Sequence, residues 1–231
     1  MYIINPTTKI TAIAASTEDA SYPKENVEDD FRTNYWLSTA SPATLTLSVS
    51  TGASAVGIAY TNATTVRVQS TDPVFDHTYT IDSGHPNVFA YYGVSSGAHT
   101  VTLTFTNAKA DPYCGIVRCS NVYTFDNPEY GLQEGLKDYS VSKRYNNGAL
   151  YYLQRNIVRT FSGNILVDRD TEFWVFLHTI AKAQGLSPMF WQVTDTDAED
   201  WAIFAELEDM PGGSHDYPEH SKMSFSLVEA I

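Results

Sequence analysis

The chain has 231 residues, 43% of them hydrophobic, and a formal net charge of −13. That length allows one large or two medium domains, the apolar content excludes a wholly disordered chain, and the acidity disfavours nucleic acid and anionic membrane surfaces as partners. No apolar run approaches the roughly 18 residues of a membrane helix, and Met1-Tyr2-Ile3-Ile4-Asn5-Pro6 lacks the basic and long apolar regions of a secretion leader, so folding in a cytoplasm is expected.

Residues 1–125 are rich in threonine and serine and poor in charge. Short alternating segments recur at Ala43–Val49, Thr65–Val68, Thr78–Ile81 and Thr100–Phe105. In the last, Val101, Leu103 and Phe105 point one way and three threonines the other, the period-two pattern of a half-buried strand. Turn signals at Ser50-Thr51-Gly52, Asp82-Ser83-Gly84 and Ser95-Ser96-Gly97 separate the segments. About eight short strands without a helix predict a jelly-roll sandwich. Cys114 and Cys119 lie on one predicted strand, where odd spacing sends the side chains to opposite faces, so two buried free thiols are expected.

The run Asp126-Asn127-Pro128-Glu129-Tyr130-Gly131 breaks the pattern and marks a domain boundary, giving domains 1–125 and 126–231. Beyond it Asn146-Asn147-Gly148 signals a hairpin turn. Strands follow at Ile157–Phe161 and Ile165–Val167. A helix over about 170–184 is predicted next, capped by Asp168 or Asp170, with Phe173, Phe176, Leu177, Ile180 and Ala181 at helical spacing and Gly185 at its end. Met189–Val193, Trp201–Leu207 and the alternating Met223, Phe225 and Leu227 read as further strands. The fold class expected is mainly β: a jelly-roll sandwich, then a β-sandwich with one α-helix.

No catalytic motif stands out. The acidic Asp195–Asp200 run lacks the glycine that a calcium loop requires at its sixth position, and reads as a solvated turn. His215, Asp216 and His220 lack a third ligand with suitable spacing, and adjacent Ser214-His215-Asp216 do not form a triad. Phosphate-loop, dinucleotide, nucleophile-elbow and metalloprotease-helix patterns are absent from the sequence. An enzyme is therefore not expected, nor a metal or cofactor. The sequon Asn62-Ala63-Thr64 matters only in a secretory pathway. Trp36, Tyr91 and Tyr92 are the candidates by composition for contact with a glycan or partner, since aromatic rings stack on apolar sugar faces; core packing is the competing use.

The stretch from Tyr22-Pro23 through Asn26, Asp29 and Thr33 to Trp36 resembles the loop of galactose-binding-like, discoidin-type jelly rolls. Asp30 replaces the glycine that usually follows the aspartate, so the calcium ion of some relatives is not carried over. The second half is similar to the tail-tube-like domain of bacteriophage distal tail and baseplate proteins. What matches is the order of features: Arg159-Thr160-Phe161-Ser162-Gly163-Asn164, a helix near Phe173–Ala183, a strand at Phe190-Trp191-Gln192, an acidic turn, Trp201-Ala202-Ile203-Phe204 and a closing Ser224–Glu229. These resemblances imply a structural component of a phage tail tip. Its second half would form a ring, a hexamer in such proteins, and its first half would face neighbouring tail or receptor-binding proteins. A carbohydrate-binding module contacting host glycans is the alternative. The implied location is the virion, after synthesis in the host cytoplasm.

Overall fold

The computed structural model describes residues 1–82, 86–182, 185, 187–195, 201–215 and 218–230. The turn at 83–84, the acidic run at 196–200 and Asp216 lie outside the described residues. The chain is mainly β, built from antiparallel sheets; its helical segments among the described residues are a 3₁₀ turn at Lys24–Glu28 and a short helix at Glu172–Ala181. It divides into two compact units, Met1–Phe125 with Met189–Phe204, and Asp126–Pro188 with Ala205–Ile231. The first division falls at the predicted break. Residues 189–204, expected in the second domain, belong instead to the first unit.

In the first unit, β2 (Ile10–Ala15), β4 (Ala43–Val49), β9 (His99–Thr106), β6 (Thr65–Thr71) and β7 (Val74–Thr80) form one sheet in that order. A second sheet has the order β3 (Trp36–Leu37), β10 (Tyr113–Ser120), β5 (Ala55–Thr61) and β8 (Val88–Tyr91). From β2 to β10 the chain changes sheet at each step except β6 to β7, which pair as a hairpin. This winding of consecutive strands between two sheets is that of a jelly roll. Leu45, Leu47, Val66, Val68, Val101, Leu103 and Phe105 from one sheet meet Val56, Ile58, Val88, Val117 and Trp36 from the other. Thr44, Thr46, Thr100, Thr102 and Thr104 lie on the opposite, half-exposed face, as the period-two reading requires.

The second sheet departs from that alternation. β5 and β10 are buried almost continuously, because 189–204 covers their outer side. Phe190 lies over Gly57, where a Cβ would stand 2.4 Å from the ring. Phe204 packs on Phe190 at 4.7 Å and edge-on to Tyr60 at 6.1 Å. Register holds the layer in place: β1 (Tyr2–Ile4) pairs with β11 (Val122–Thr124) on one side and β16 (Met189–Gln192) on the other. β17 (Ala202–Leu207) neighbours β16 in the same sheet.

Cys114 and Cys119 are free and buried, but they do not face opposite ways: both line the core between the sheets. Tyr60 adopts a left-handed φ of 58°, and Gly115 lies so close that a Cβ there would be 2.9 Å from the Tyr60 Cβ. This irregularity resets the alternation, so inward positions step from Cys114 to Val117 to Cys119. Five residues of strand still separate the thiols by roughly 16 Å, well beyond disulfide reach. Burial pushes both thiols up, Cys119 to about 12.

In the second unit, β12 (Gln133–Asp138), β15 (Ile157–Asp168) and β19 (His220–Glu229) pair in sequence, and β18 (Gly213–Ser214) with residues 205–207 pairs along β19. β15 is one strand of 12 residues, not the two expected, because β19 pairs with it continuously through Gly163. Ser221, Met223, Phe225 and Leu227 alternate inward along β19. The expected helix is different in kind: an α-helical turn, α1 (Glu172–Trp174), continues as a π-helix over Val175–Ala181. The Asp168 carboxylate accepts the backbone N–H groups of Asp170 and Thr171 at 3.0 and 2.9 Å, so of the two proposed capping acids Asp168 organises this entry. Phe173, Phe176, Ile180 and Ala181 are buried while Leu177 is half-buried. Gly185 takes a left-handed φ of 60° and donates its N–H to the Ala181 carbonyl, a conformation that glycine adopts without steric cost.

Candidate assembly surface

The predicted hairpin forms from β13 (Val141–Arg144) and β14 (Leu150–Leu153). Asn147 Oδ1 accepts the Ala149 N–H, Gly148 has a φ of 83°, and the Tyr145 N–H reaches the Ala149 carbonyl. Among the described residues the two strands pair only with each other. They extend the β12–β15 ladder, joined to it by the Tyr139 N–H to the Asn156 carbonyl at 3.2 Å, as a two-stranded ribbon, and such a ribbon is at best marginally stable in water without further cover.

Its side chains sharpen the point. Register places Val141 opposite Leu153 and Lys143 opposite Tyr151 on one face, with Ser142 opposite Tyr152 and Arg144 opposite Leu150 on the other. A hairpin resting on its own domain would show one apolar and one polar face. Here both faces carry large apolar groups and both are open: Leu150 and Tyr152 are 61% and 56% exposed, Val141 and Leu153 44% and 41%. Tyr145 and Tyr151 are also exposed, as are Leu136 on β12 and Ile157 at the start of β15. Covering each such group contributes on the order of 1 kcal/mol. An exposed apolar patch with unpaired strand edges has the physical character of an interaction site.

The segment is also distinct in charge. Between residues 139 and 157 the chain has Lys143, Arg144 and Arg155 and no acid, within a protein of net charge −13.

The proposed contact residues fall elsewhere, and the structure does not bring the three together as one exposed surface. Trp36 is fully buried; its indole N–H donates to the Thr17 carbonyl at 3.1 Å and its ring packs on Phe105. Tyr92 is buried too, its hydroxyl 3.2 Å from the Cys119 sulfur and 3.1 Å from His99 Nε2. Burial pushes that phenol up. Both act as core residues: Trp36 on β3 and Tyr92, just past the end of β8, are carried into the space between the sheets. Tyr91 is 44% exposed and stacks on Tyr2 at 5.2 Å.

A part-exposed ring cluster in the first unit involves residues that composition did not single out. Tyr22 and Tyr35 stack at 4.6 Å with planes 9° apart, and Tyr113 follows at 5.2 Å. A hydrogen bond with Tyr22 chiefly holds the Tyr35 phenol above its ordinary range. Nearby in the chain, Ser41, Pro42, Thr106, Asn107, Lys109 and Asp111 border a shallow, open depression of about 510 Å³. Asn62 of the sequon is engaged with backbone: its amide donates to the Asp111 carbonyl and its oxygen accepts the Tyr113 N–H.

In the second unit, His215 Nδ1 is 2.6 Å from Ser221 Oγ and its ring packs on Phe173. Ser221 is fully buried, so this pair does not present a nucleophile to a substrate. Among the described residues no three metal-ligating side chains converge.

No family model matches the chain, and no curated protein matches it. Solved structures resemble it in part. A crystal structure of SpGH29 is 13% identical, with a TM-score of 0.40 over 50% of this chain and 28% of that one. The reduced XRCC1 structure bound to the DNA polymerase β catalytic domain matches at 12% identity and a TM-score of 0.37, over 49% and 97%. Truncated AlyQ, with CBM32 and alginate lyase domains, matches at 14% and 0.38, over 73% and 54%. The chain thus spans well under a third of SpGH29 and about half of truncated AlyQ. At these scores the likenesses carry neither family nor function.

Proposed function

We propose that this chain is a structural, non-catalytic subunit of a bacteriophage tail tip. Its second half joins copies into a ring, and its first half presents the jelly roll to neighbouring tail or receptor-binding proteins in the virion. The observation that carries this reading is the two-faced apolar hairpin Val141–Leu153, which needs a partner to cover it. The resemblance of feature order between Arg159 and Glu229 to tail-tube-like domains supplies the phage setting. Light scattering on the purified chain, with negative-stain microscopy, is expected to give a closed oligomer, with a hexamer as the expected size. A chain that stays strictly monomeric and never joins a particle refutes it.

A second reading, a carbohydrate-binding module contacting host surface glycans, is favoured by the part-exposed Tyr22–Tyr35–Tyr113 stack. Flat rings with hydroxyl edges suit the apolar faces and hydroxyls of sugars. On a glycan array the full chain is expected to bind a host polysaccharide, and Tyr22→Ala with Tyr35→Ala to lose that binding. No binding across host polysaccharides removes this reading and leaves the assembly role standing.

A further inference from the structure

The hairpin's charge narrows what covers it. An isologous contact, hairpin against hairpin across a two-fold axis, sets Lys143, Arg144 and Arg155 of one chain against the same cations of the other. Like charges brought together in an interface cost several kcal/mol, so a two-fold pairing is disfavoured. The complement of a basic, apolar segment is an acidic surface with apolar groups of its own, and the rest of this strongly acidic chain supplies one.

We infer that the Val141–Leu153 hairpin docks head-to-tail on a second copy of this chain, at that copy's Glu18–Phe31 loop. The inference rests on the assembly role proposed above and extends it, making a loop of the first half of one copy the acceptor for the second half of another. Between Glu18 and Asp30 the loop carries six carboxylates against two bases, Lys24, which pairs with Glu18 and Glu25, and Arg118 of β10, which pairs with Asp30, so the loop keeps a net negative charge. The next base, Arg32, lies over the Tyr60 ring at 5.4 Å. The loop also exposes apolar surface: Phe31 is 67% exposed, and Tyr22, nearer the loop's start, is 36% exposed. Acid and ring on the loop therefore answer base and aliphatic or aromatic groups on the hairpin. Because hairpin and loop are different surfaces, the contact is heterologous, and repeated heterologous contacts make either a closed ring or an open filament. The hairpin's two apolar faces add a constraint. One flat contact leaves a face in water, so the acceptor must flank the hairpin on both sides or leave room for a further strand at its edges.

Charge reversal tests this on the full chain. Lys143→Glu with Arg144→Glu is expected to raise the dissociation constant of assembly by at least about tenfold, with the circular dichroism of the folded chain unchanged, since both side chains are exposed. Leu150→Ser with Tyr152→Ser is expected to do the same through the apolar contacts. Glu25→Lys with Glu28→Lys on the loop also disrupts assembly, and mixing the hairpin-reversed and loop-reversed chains restores it, with the two alternating in the oligomer. Wild-type assembly weakens as salt rises from 50 to 500 mM, as screened charge pairs require. Assembly that survives hairpin reversal, or reversed chains that stay apart when mixed, overturns this inference and leaves the assembly role intact. A wild-type chain that is monomeric at every concentration overturns both.

Discussion

Replacing Arg118 with methionine is expected to cost the first unit about 3 kcal/mol, whereas Asp30→Asn costs under about 1 kcal/mol. The asymmetry comes from where the two charges sit. The Arg118 side chain is 11% exposed and the Asp30 side chain 59%. One guanidinium nitrogen donates to the carbonyls of Val27 and Val117 at 3.3 and 3.0 Å, and another to Asp30 at 2.6 Å. This fastens the short 3₁₀ turn Lys24–Glu28 to β10. Methionine fills a similar volume but leaves both carbonyls without that donor, and hydrogen bonds from a charged donor contribute about 1.5–3 kcal/mol each. Asparagine at Asp30 still offers an oxygen acceptor, and solvent at that half-exposed site replaces much of what is lost. Chemical denaturation checks both variants. A midpoint shift no larger for Arg118→Met than for Asp30→Asn removes the claim that the guanidinium is the internal anchor of this loop.

The parts of this fold legible in the sequence are those governed by local pattern. Alternating Thr44, Thr46 and Ser48 against Leu45, Leu47 and Val49 read directly as β4, and Asn146-Asn147-Gly148 read as the turn between β13 and β14. The misreadings come from partners distant in the chain. Ser162, Gly163 and Asn164 fall between the two expected strands, but β19 pairs straight through them. The cysteine spacing predicted opposite faces, because a left-handed Tyr60 on the neighbouring strand cannot be seen from residues 114–119. Trp36 and Tyr92 were candidates by ring count, and only packing shows that they serve the core. The Tyr22–Tyr35–Tyr113 stack joins residues up to 91 positions apart, and no pattern within the chain announces it. The hairpin was readable further than its turn: Leu150-Tyr151-Tyr152-Leu153 is apolar at four successive positions, which in a two-stranded hairpin puts apolar groups on both faces.

Phe190→Ala is expected to destabilise the first unit by about 3–5 kcal/mol and Gly57→Ala by about 1–3 kcal/mol, and the two together by less than their sum. Phe190 is 1% exposed and its ring rests on the bare backbone of β5. β5 reads Ala55-Val56-Gly57-Ile58-Ala59: Val56 and Ile58 enter the sandwich core, and the small residues between them belong to the other face. A methyl at Gly57 would lie 2.4 Å from the Phe190 Cγ, closer than carbon atoms approach, so the ring or the strand must shift. Truncating Phe190 first removes the atoms that the methyl would strike and opens a cavity that it partly fills. The second substitution then costs less than it does alone, and contacting residues of this kind show coupling of about 0.5–3 kcal/mol. Additive losses in denaturant melts of the two single variants and the double variant would mean that Gly57 is required for some reason other than the ring above it. The assignment of 189–204 as the outer layer of the first unit's second sheet would then lose its main energetic support.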